Sequence, residues 1–244
     1  PHETLLNQAK EQYEAAEKAA KSDALKSFKG FDQNAAIRQI KTYELKLAMH
    51  RGQYADAKTF VEGALKDGET VEVIYNNDGG DNPLYSAIGP NSRDVQVSPS
   101  LEAARTTDAE KKALPLAHAS VDKKNPNRYN IYASGLTRKG SIIISNDDDI
   151  HLIKAELIVR GVMTGDAMTE VNKVIGKYDT ASQLSTAPTL AQIAELRRIF
   201  LAFRGERTAD IRRGLEQGSA TTTWASRKIK WLPMPEKELQ SQGL

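Results

Sequence analysis

The chain has 244 residues, of which 39% are hydrophobic and 27% are charged, and this composition is typical of a globular protein. Its 34 basic and 32 acidic residues nearly cancel, so the net charge of +2 gives no argument for a nucleic-acid partner. The absence of cysteine excludes disulfide bonds, thiol nucleophiles and cysteine-ligated metal centres. The chain begins at Pro1 without an apolar leader, which we interpret as a processed or trimmed chain whose targeting segment lies outside this sequence.

Two helical elements are predicted near the amino terminus. Apolar residues at three- and four-residue spacing predict a helix over 3–29, closed by Gly30, and then a helical hairpin over 34–66. In a tetratricopeptide repeat, a glycine permits the tight turn between two helices and an alanine lets their axes approach. The hairpin resembles that repeat at four positions, Leu47, Gly52, Tyr54 and Ala57.

The region 67–146 has the composition of a loop-rich insertion. Alternating apolar residues over 71–75 predict a short strand, and three consecutive isoleucines within 141–145 predict a buried one. Asn, Asp, Gly, Pro and Ser dominate 76–98, which we interpret as a long loop of the kind that often carries function. The stretch 101–119 is weakly helical in pattern.

Helical periodicity returns over 147–244. Asp147 to Asp149 supply a cap and favourable charge at the start of a helix, and a partner helix follows Gly165. A last long helix is predicted to begin at Thr189 and to continue its apolar stripe past Gly205. We therefore predict a mainly α protein of tetratricopeptide-like hairpins with a loop-rich inserted region and minor β structure. All of it forms one domain over 1–244.

Five segments resemble, in the correct order, the SusD/RagB family of outer-membrane nutrient-binding lipoproteins. Residues 35–64 resemble the family's first hairpin, 152–157 its "LIxAEA" helix and 171–174 its "LNxVR" segment. Residues 201–213 resemble "ELAFEGxRWFDLRR", and 231–239 resemble the closing "YLPIPxxEL". The sequence departs from the family where Arg204 replaces a glutamate and where Thr208 and Ala209 replace a Trp-Phe pair.

The resemblance implies a function. It implies non-enzymatic binding of a glycan or peptide nutrient at the cell surface, for delivery to a TonB-dependent outer-membrane transporter. A lipid anchor outside this chain would hold the protein to the outer membrane, and no cofactor is implied. The alternative is a tetratricopeptide-like adaptor or structural assembly protein, whose helical grooves hold a peptide or another subunit.

The loop-rich region holds the candidate ligand-binding residues. Tyrosines outside the helical stripes offer aromatic faces to the apolar side of a ligand, and nearby polar groups offer hydrogen bonds. The alternative is that some of these tyrosines cover the helical core. The candidates are Tyr75, Asn82, Tyr85, Arg93, Asp94, Tyr129 and Tyr132.

Other polar clusters have structural interpretations that we favour. No nucleophile elbow, Walker loop, dinucleotide fingerprint or His-Glu-x-x-His motif is present, so an enzyme is not predicted. The acids at 147–149 could bind calcium, but a helix start already explains them. The arginines within 197–213 could face an anion, but we expect internal pairs with Glu195 and Asp210. His151 is predicted to be a surface or capping residue.

Overall fold

The computed structural model describes residues 2–26, 28–75, 80–89, 97–118 and 131–212. Arg93, Asp94, Tyr129 and the closing segment 231–239 lie outside the described residues. Within those ranges, no helix combines the length and apolar character needed to cross a bilayer. The fold is mainly helical with minor strands, as the sequence predicts.

The described ranges contain eleven α-helices and four strands. The helices of the amino-terminal half are α1 (His2–Ala20), α2 (Asp23–Lys26), α3 (Gln33–Arg51), α4 (Tyr54–Val61), α5 (Pro83–Ile88), α6 (Pro99–Ala104) and α7 (Asp108–Ala113). Those that follow are α8 (Asp147–Val159), α9 (Ala167–Gly176), α10 (Leu190–Phe200) and α11 (Arg207–Arg212). The strands are β1 (Thr70–Val73), β2 (Leu116–His118), β3 (Ile131–Ala133) and β4 (Ile142–Asn146).

The first hairpin forms as predicted, with small shifts at its ends. Gly52 adopts a left-handed φ of 69° between α3 and α4, and its N–H group caps α3 by donating to carbonyl groups of the last turn. The helix α3 begins one residue before the predicted start at 34, and its cap is Asp32, whose side chain accepts from the Ala35 N–H group. The single helix predicted over 3–29 is wrong: it is interrupted after Ala20, where the Ser-Asp sequence favours a new helix start over a helix interior.

Helix α8 is the centre of the fold. One cluster of buried apolar residues joins it to α9 and α10 through Leu152 and Ala155. A second cluster joins it to α3 and α4 through Ile150, Ile153 and Leu157. Helix α8 therefore contributes to two cores, packing against α3 and α4 on one face and against α9 and α10 on the other.

The strands form two small antiparallel sheets. Strand β1 pairs with β4, with Val71 opposite Ser145, and β2 pairs with β3. The prediction of a buried strand over 141–145 is wrong in part, because only Ser145 of β4 is buried and Ile143 is 36% exposed.

Two further predictions need correction. The loop predicted over 76–98 contains α5, and the stretch 101–119 divides into α6, α7 and β2. The last long helix ends at Phe200, because Phe203 has a left-handed φ of 67° and Gly205 one of 82°. Phe203 nevertheless packs against the apolar cluster of α8, α9 and α10.

Candidate functional site

Helix α5 carries two of the candidate residues and is fixed from its first turn. The Asn82 side-chain oxygen accepts from the N–H groups of Leu84 and Tyr85, which caps the helix, and Pro83 occupies the first helical position. The Asn82 amide nitrogen donates to the Gly140 carbonyl at 2.8 Å. Asn82 is fully buried. A ligand contact to its side chain would therefore require these hydrogen bonds to break.

Tyr85 lies in the same helix beside a surface ion-pair cluster, and its side chain is half-buried. Arg138 donates to Asp81 at 2.7 Å, and the Lys139 ammonium lies 3.3 Å from the same carboxylate. The hydrogen bond from Arg138 holds the pKa of Asp81 below its ordinary value. The surroundings of Tyr85 therefore combine an aromatic ring with fixed charges that can bind a polar ligand.

Tyr75 and Tyr132 lie on other elements of the loop-rich region. Tyr75 follows β1, and Tyr132 is the central residue of β3, opposite Ala117. Its neighbours Ile131 and Ala133 are buried, so Tyr132 faces the opposite side of the strand, and both tyrosines are half-buried. Of the seven candidates, Tyr75, Tyr85 and Tyr132 are therefore described and partly accessible.

A cleft that the sequence did not predict lies between the loop-rich region and the end of α10. Its volume is about 390 Å³, within the size range of small-molecule sites. Leu84 and Ile142 line it from the loop-rich region, and Phe203 lines it from the scaffold. Polar groups are few, and they include Ser141, Lys112 and Arg204. Tyr85 follows Leu84 in α5 but is not among the residues that line this cleft.

A buried ionic centre, formed by Lys46, Arg197, Glu206 and Asp210, lies inside the scaffold. Arg197 is 1% exposed, and its Nε donates to both carboxylate oxygens of Asp210 at 3.0 and 3.1 Å. Its Nη2 atom lies 3.3 Å from Glu206 Oε2, and Lys46 Nζ lies 2.7 Å from Glu206 Oε1. The predicted internal pairing is confirmed for Arg198 with Glu195 at 3.1 Å, whereas Arg197, not predicted as a partner, binds Asp210.

The ionic centre shifts the pKa values of Glu206 and Arg197. Burial disfavours the Glu206 carboxylate, but the hydrogen bond from His50 and the charges of Lys46 and Arg197 outweigh burial. They hold its pKa well below the ordinary value. Burial would lower the pKa of Arg197, yet the charges of Asp210 and Glu206 raise it. Both shifts favour the charged forms of Glu206 and Arg197, which is the behaviour of a structural ion-pair network.

The acids at the start of α8 are buried and engaged in different contacts. Asp147 accepts from the Gly68 N–H group at 2.6 Å, Asp148 from Lys177 at 2.6 Å, and Asp149 from the Ser145 hydroxyl at 2.9 Å. Within the described ranges, no group of three histidine, aspartate or glutamate side chains is arranged to hold a metal ion.

The prediction that His151 is a surface or capping residue is wrong. Its side chain is 3% exposed and lies between two carboxylates, those of Glu170 and Asp67. The sequence contained one usable signal, because His151 stands within the apolar stretch of α8, where a polar residue needs a partner. The partners themselves could not be read from that stretch.

The fold is similar to that of SusD-like structures. One solved structure with this likeness is surface glycan-binding protein A from Bacteroides thetaiotaomicron, with a TM-score of 0.60 and 18% identity. A second is the same protein in complex with laminarihexaose, with a TM-score of 0.57 and 19% identity. Each comparison covers 85% of this chain and 62% of the solved chain. No family model and no curated protein sequence matches the chain.

Proposed function

We propose that this protein binds a glycan or peptide nutrient at the cell surface, breaks no bond in it, and delivers it to a TonB-dependent outer-membrane transporter. The observation that carries the proposal is the likeness in fold to surface glycan-binding protein A, of which one structure holds laminarihexaose. The partly accessible tyrosines of the loop-rich region support it, because aromatic rings and fixed polar groups suit both ligand classes.

The test is ligand binding by the whole chain and by tyrosine variants. Laminarihexaose is the first probe in isothermal titration calorimetry, followed by glycan and peptide arrays. We expect Tyr85→Ala and Tyr132→Ala each to weaken binding about tenfold or more, since loss of one stacked aromatic ring costs about 0.5–1.5 kcal/mol beyond its buried area. Phe28→Ala is the matched control, because Phe28 is an aromatic residue that is 65% exposed and lies between α2 and α3.

Two results would contradict nutrient binding. One is a folded wild-type chain, checked by circular dichroism, that binds no glycan and no peptide on the arrays. The other is an equal effect of the loop variants and Phe28→Ala. Capture with a large outer-membrane barrel from detergent-solubilised membranes supports the transporter partner, whose interface we expect to bury about 1,600 Å² or more. Purification as a self-polymer or with a soluble partner would instead favour the adaptor or assembly alternative.

A further inference from the structure

The cleft between the loop-rich region and the end of α10 has mainly apolar walls. Leu84, Leu136 and Ile142 contribute aliphatic side chains from the loop-rich region, and Phe203 contributes an aromatic one from the scaffold. All four side chains are partly exposed, so their apolar surface is accessible to a ligand. A sugar hydroxyl that is buried without a hydrogen-bond partner costs free energy, and this cleft has few polar groups to offer. The walls therefore suit an apolar molecule better than a sugar.

Phe203 is held in its wall by an unusual backbone conformation. Among the residues that the structure describes, it is the one non-glycine residue with a positive φ, at 67°. Such a conformation persists only where the surrounding structure maintains it, and such residues concentrate at binding sites. Phe203 also packs against the apolar cluster of α8, α9 and α10. The aromatic side of the cleft is therefore formed before any ligand arrives.

The cleft also has a positive charge at its edge. Lys112 and Arg204 line it, and none of the described lining residues is acidic. The Lys112 side chain is 57% exposed, and its ammonium lies 3.3 Å from Asp179. An exposed pair of this kind contributes little to stability, so Lys112 can exchange Asp179 for the carboxylate of a ligand.

Arg204 is the less available of the two cations. Its side chain is 9% exposed, and its Nη1 atom lies 3.5 Å from Asp149 and donates to the Asn146 side chain. These contacts fix the guanidinium in the wall and neutralise part of its charge. Lys112 is therefore the group that we expect to recognise an anion.

Apolar surface continues from the cleft onto the neighbouring sheet. Ile142 and Ile143 of β4 line the cleft, and Val73 of β1 lies opposite Ile142. Val73, Ile74 and Ile143 are large apolar side chains that are exposed. Exposed apolar side chains that lie together often mark an interaction surface. A ligand longer than the cleft can therefore extend towards β1.

We propose that this cleft binds a small amphipathic carboxylate, whose apolar chain lies between Leu84, Ile142 and Phe203 and whose carboxylate pairs with Lys112. A fatty acid and the carboxyl-terminal end of an apolar peptide share this chemistry. The site is separate from nutrient binding at the tyrosines, because none of the described candidate tyrosines lines the cleft.

Isothermal titration calorimetry of the whole chain tests the ligand chemistry. Octanoate should bind with a dissociation constant of about 1 mM or lower, a range suited to a ligand of roughly ten non-hydrogen atoms. Hexanoate, which has a shorter chain, should bind about tenfold more weakly because less apolar surface is buried. Octanol, the uncharged counterpart, should bind more weakly than octanoate.

A second pair of probes distinguishes the two sources of the carboxylate. N-acetyl-leucyl-leucine represents the end of a peptide, and its amide is the uncharged counterpart. Binding of octanoate alone identifies a fatty acid as the ligand, and binding of the peptide acid alone identifies a peptide end. Equal binding of each acid and its uncharged counterpart would contradict recognition of a carboxylate.

Methyl NMR spectra of the isoleucines locate the site. Ile142, Ile143 and Ile199 line the cleft, whereas Ile150 and Ile153 belong to the apolar cluster shared with α3 and α4. The bound acid should shift the δ1-methyl signals of the first three residues and leave those of the other two unchanged. Shifts of the second group alone would place the ligand elsewhere and overturn the proposal.

Two adjacent lysines supply a matched pair of variants. Lys112→Gln should weaken octanoate binding about threefold and leave octanol binding unchanged, because it removes one exposed charge. Lys111→Gln is the control, since Lys111 is 54% exposed and pairs with Asp108 but is not among the described residues that line the cleft. Equal effects of the two variants on octanoate binding would overturn the proposal.

Two further variants test the cleft itself. Ala202→Leu enlarges a lining side chain and should abolish octanoate binding without loss of helical circular dichroism. Tyr132→Ala should leave octanoate binding unchanged, so this proposal and the proposed nutrient binding can fail independently. A cleft filled by another part of the chain or by a second copy would exclude the probes. A folded wild-type protein that binds neither acid therefore overturns the proposal.

Discussion

Helices α3, α8, α10 and α11 bury a group of charged side chains inside the protein, whereas the described ion pairs of the loop-rich region between β1 and β4 lie at the surface. Arg197 and Asp210 are each 1% exposed, but the Arg138 side chain in its pair with Asp81 is 69% exposed. A buried charge that loses its partner is left without hydration, whereas water solvates an exposed charge that loses its partner. Single substitutions at the ionic centre should therefore lower the free energy of unfolding strongly, whereas substitutions at the surface ion pairs of the loop-rich region should change it little.

The strongest test of this contrast replaces two adjacent arginines. We expect Arg197→Met to lower the free energy of unfolding by about 3–5 kcal/mol, because Asp210 and Glu206 then remain buried without the guanidinium. Arg198→Ala, which removes an exposed pair with Glu195, should cost less than about 1 kcal/mol. Urea denaturation measures both values. An equal loss of unfolding free energy in the two variants would show that burial of the ion pair does not determine its contribution to stability.

The stability contributed by the buried Glu206 should depend on pH in the acid range. Its pKa is lower in the folded state than in the unfolded state, so its ionisation stabilises the fold above the ordinary glutamate pKa. That contribution is lost as the pH falls towards the folded-state value. Glu206→Gln should therefore be less stable than wild type at neutral pH, and the difference should shrink between about pH 5 and pH 3.

Denaturation midpoints at several pH values measure this effect. Glu195→Gln is the control, because the Glu195 side chain is half exposed, and we expect its curve to follow the wild-type curve. A constant difference between Glu206→Gln and wild type across the acid range would contradict the expected linkage.

The smallest effect is expected at Asn82, the one buried polar anchor of α5. Asn82→Ala removes the helix cap and the bond to the Gly140 carbonyl, which should cost about 1–2 kcal/mol. Asn82→Ser keeps a capping oxygen, removes the amide donor to Gly140 and adds no buried charge, so it separates the two roles. Thermal unfolding compares the variants. An alanine variant as stable as wild type would mean that α5 does not depend on this anchor.

The sequence predicted correctly those helix starts and turns that are determined by neighbouring residues. The start of α8 at Asp147 and the cap of α10 at Thr189 are confirmed, since a cap and the first turn it serves are neighbours in sequence. The cap residue of α8 is Asn146 and not one of the predicted aspartates, which form the first turn. The hairpin turn at Gly52 is confirmed for the same reason. Helix α5 was missed, because six residues carry too little periodicity to stand out from a loop composition.

The ionic centre could not be predicted, because its partners are far apart in sequence. His50 and Glu206, for example, are 156 residues apart, and Asp210 accepts from Arg197 although Arg207 and Arg213 stand at helical spacing from it. The candidate tyrosines were selected because they stand outside the apolar stripes, and their role in binding stays a prediction. The cleft beside Leu84 required the packing of α10 against the loop-rich region and has no signature in one segment.

The three consecutive acids at the start of α8 also show how a helix distributes neighbouring charges. Successive residues project about 100° apart around the axis, so adjacent carboxylates diverge. Asp147 reaches the loop before β1, Asp148 reaches α9, and Asp149 reaches back to β4. Such a run is a junction for the chain: each aspartate has one neighbour of its own, and Lys177 also joins Asp147 to Asp148, at 2.7 and 2.6 Å. Consecutive acids at the start of a helix can therefore tie several segments together and still share one cation.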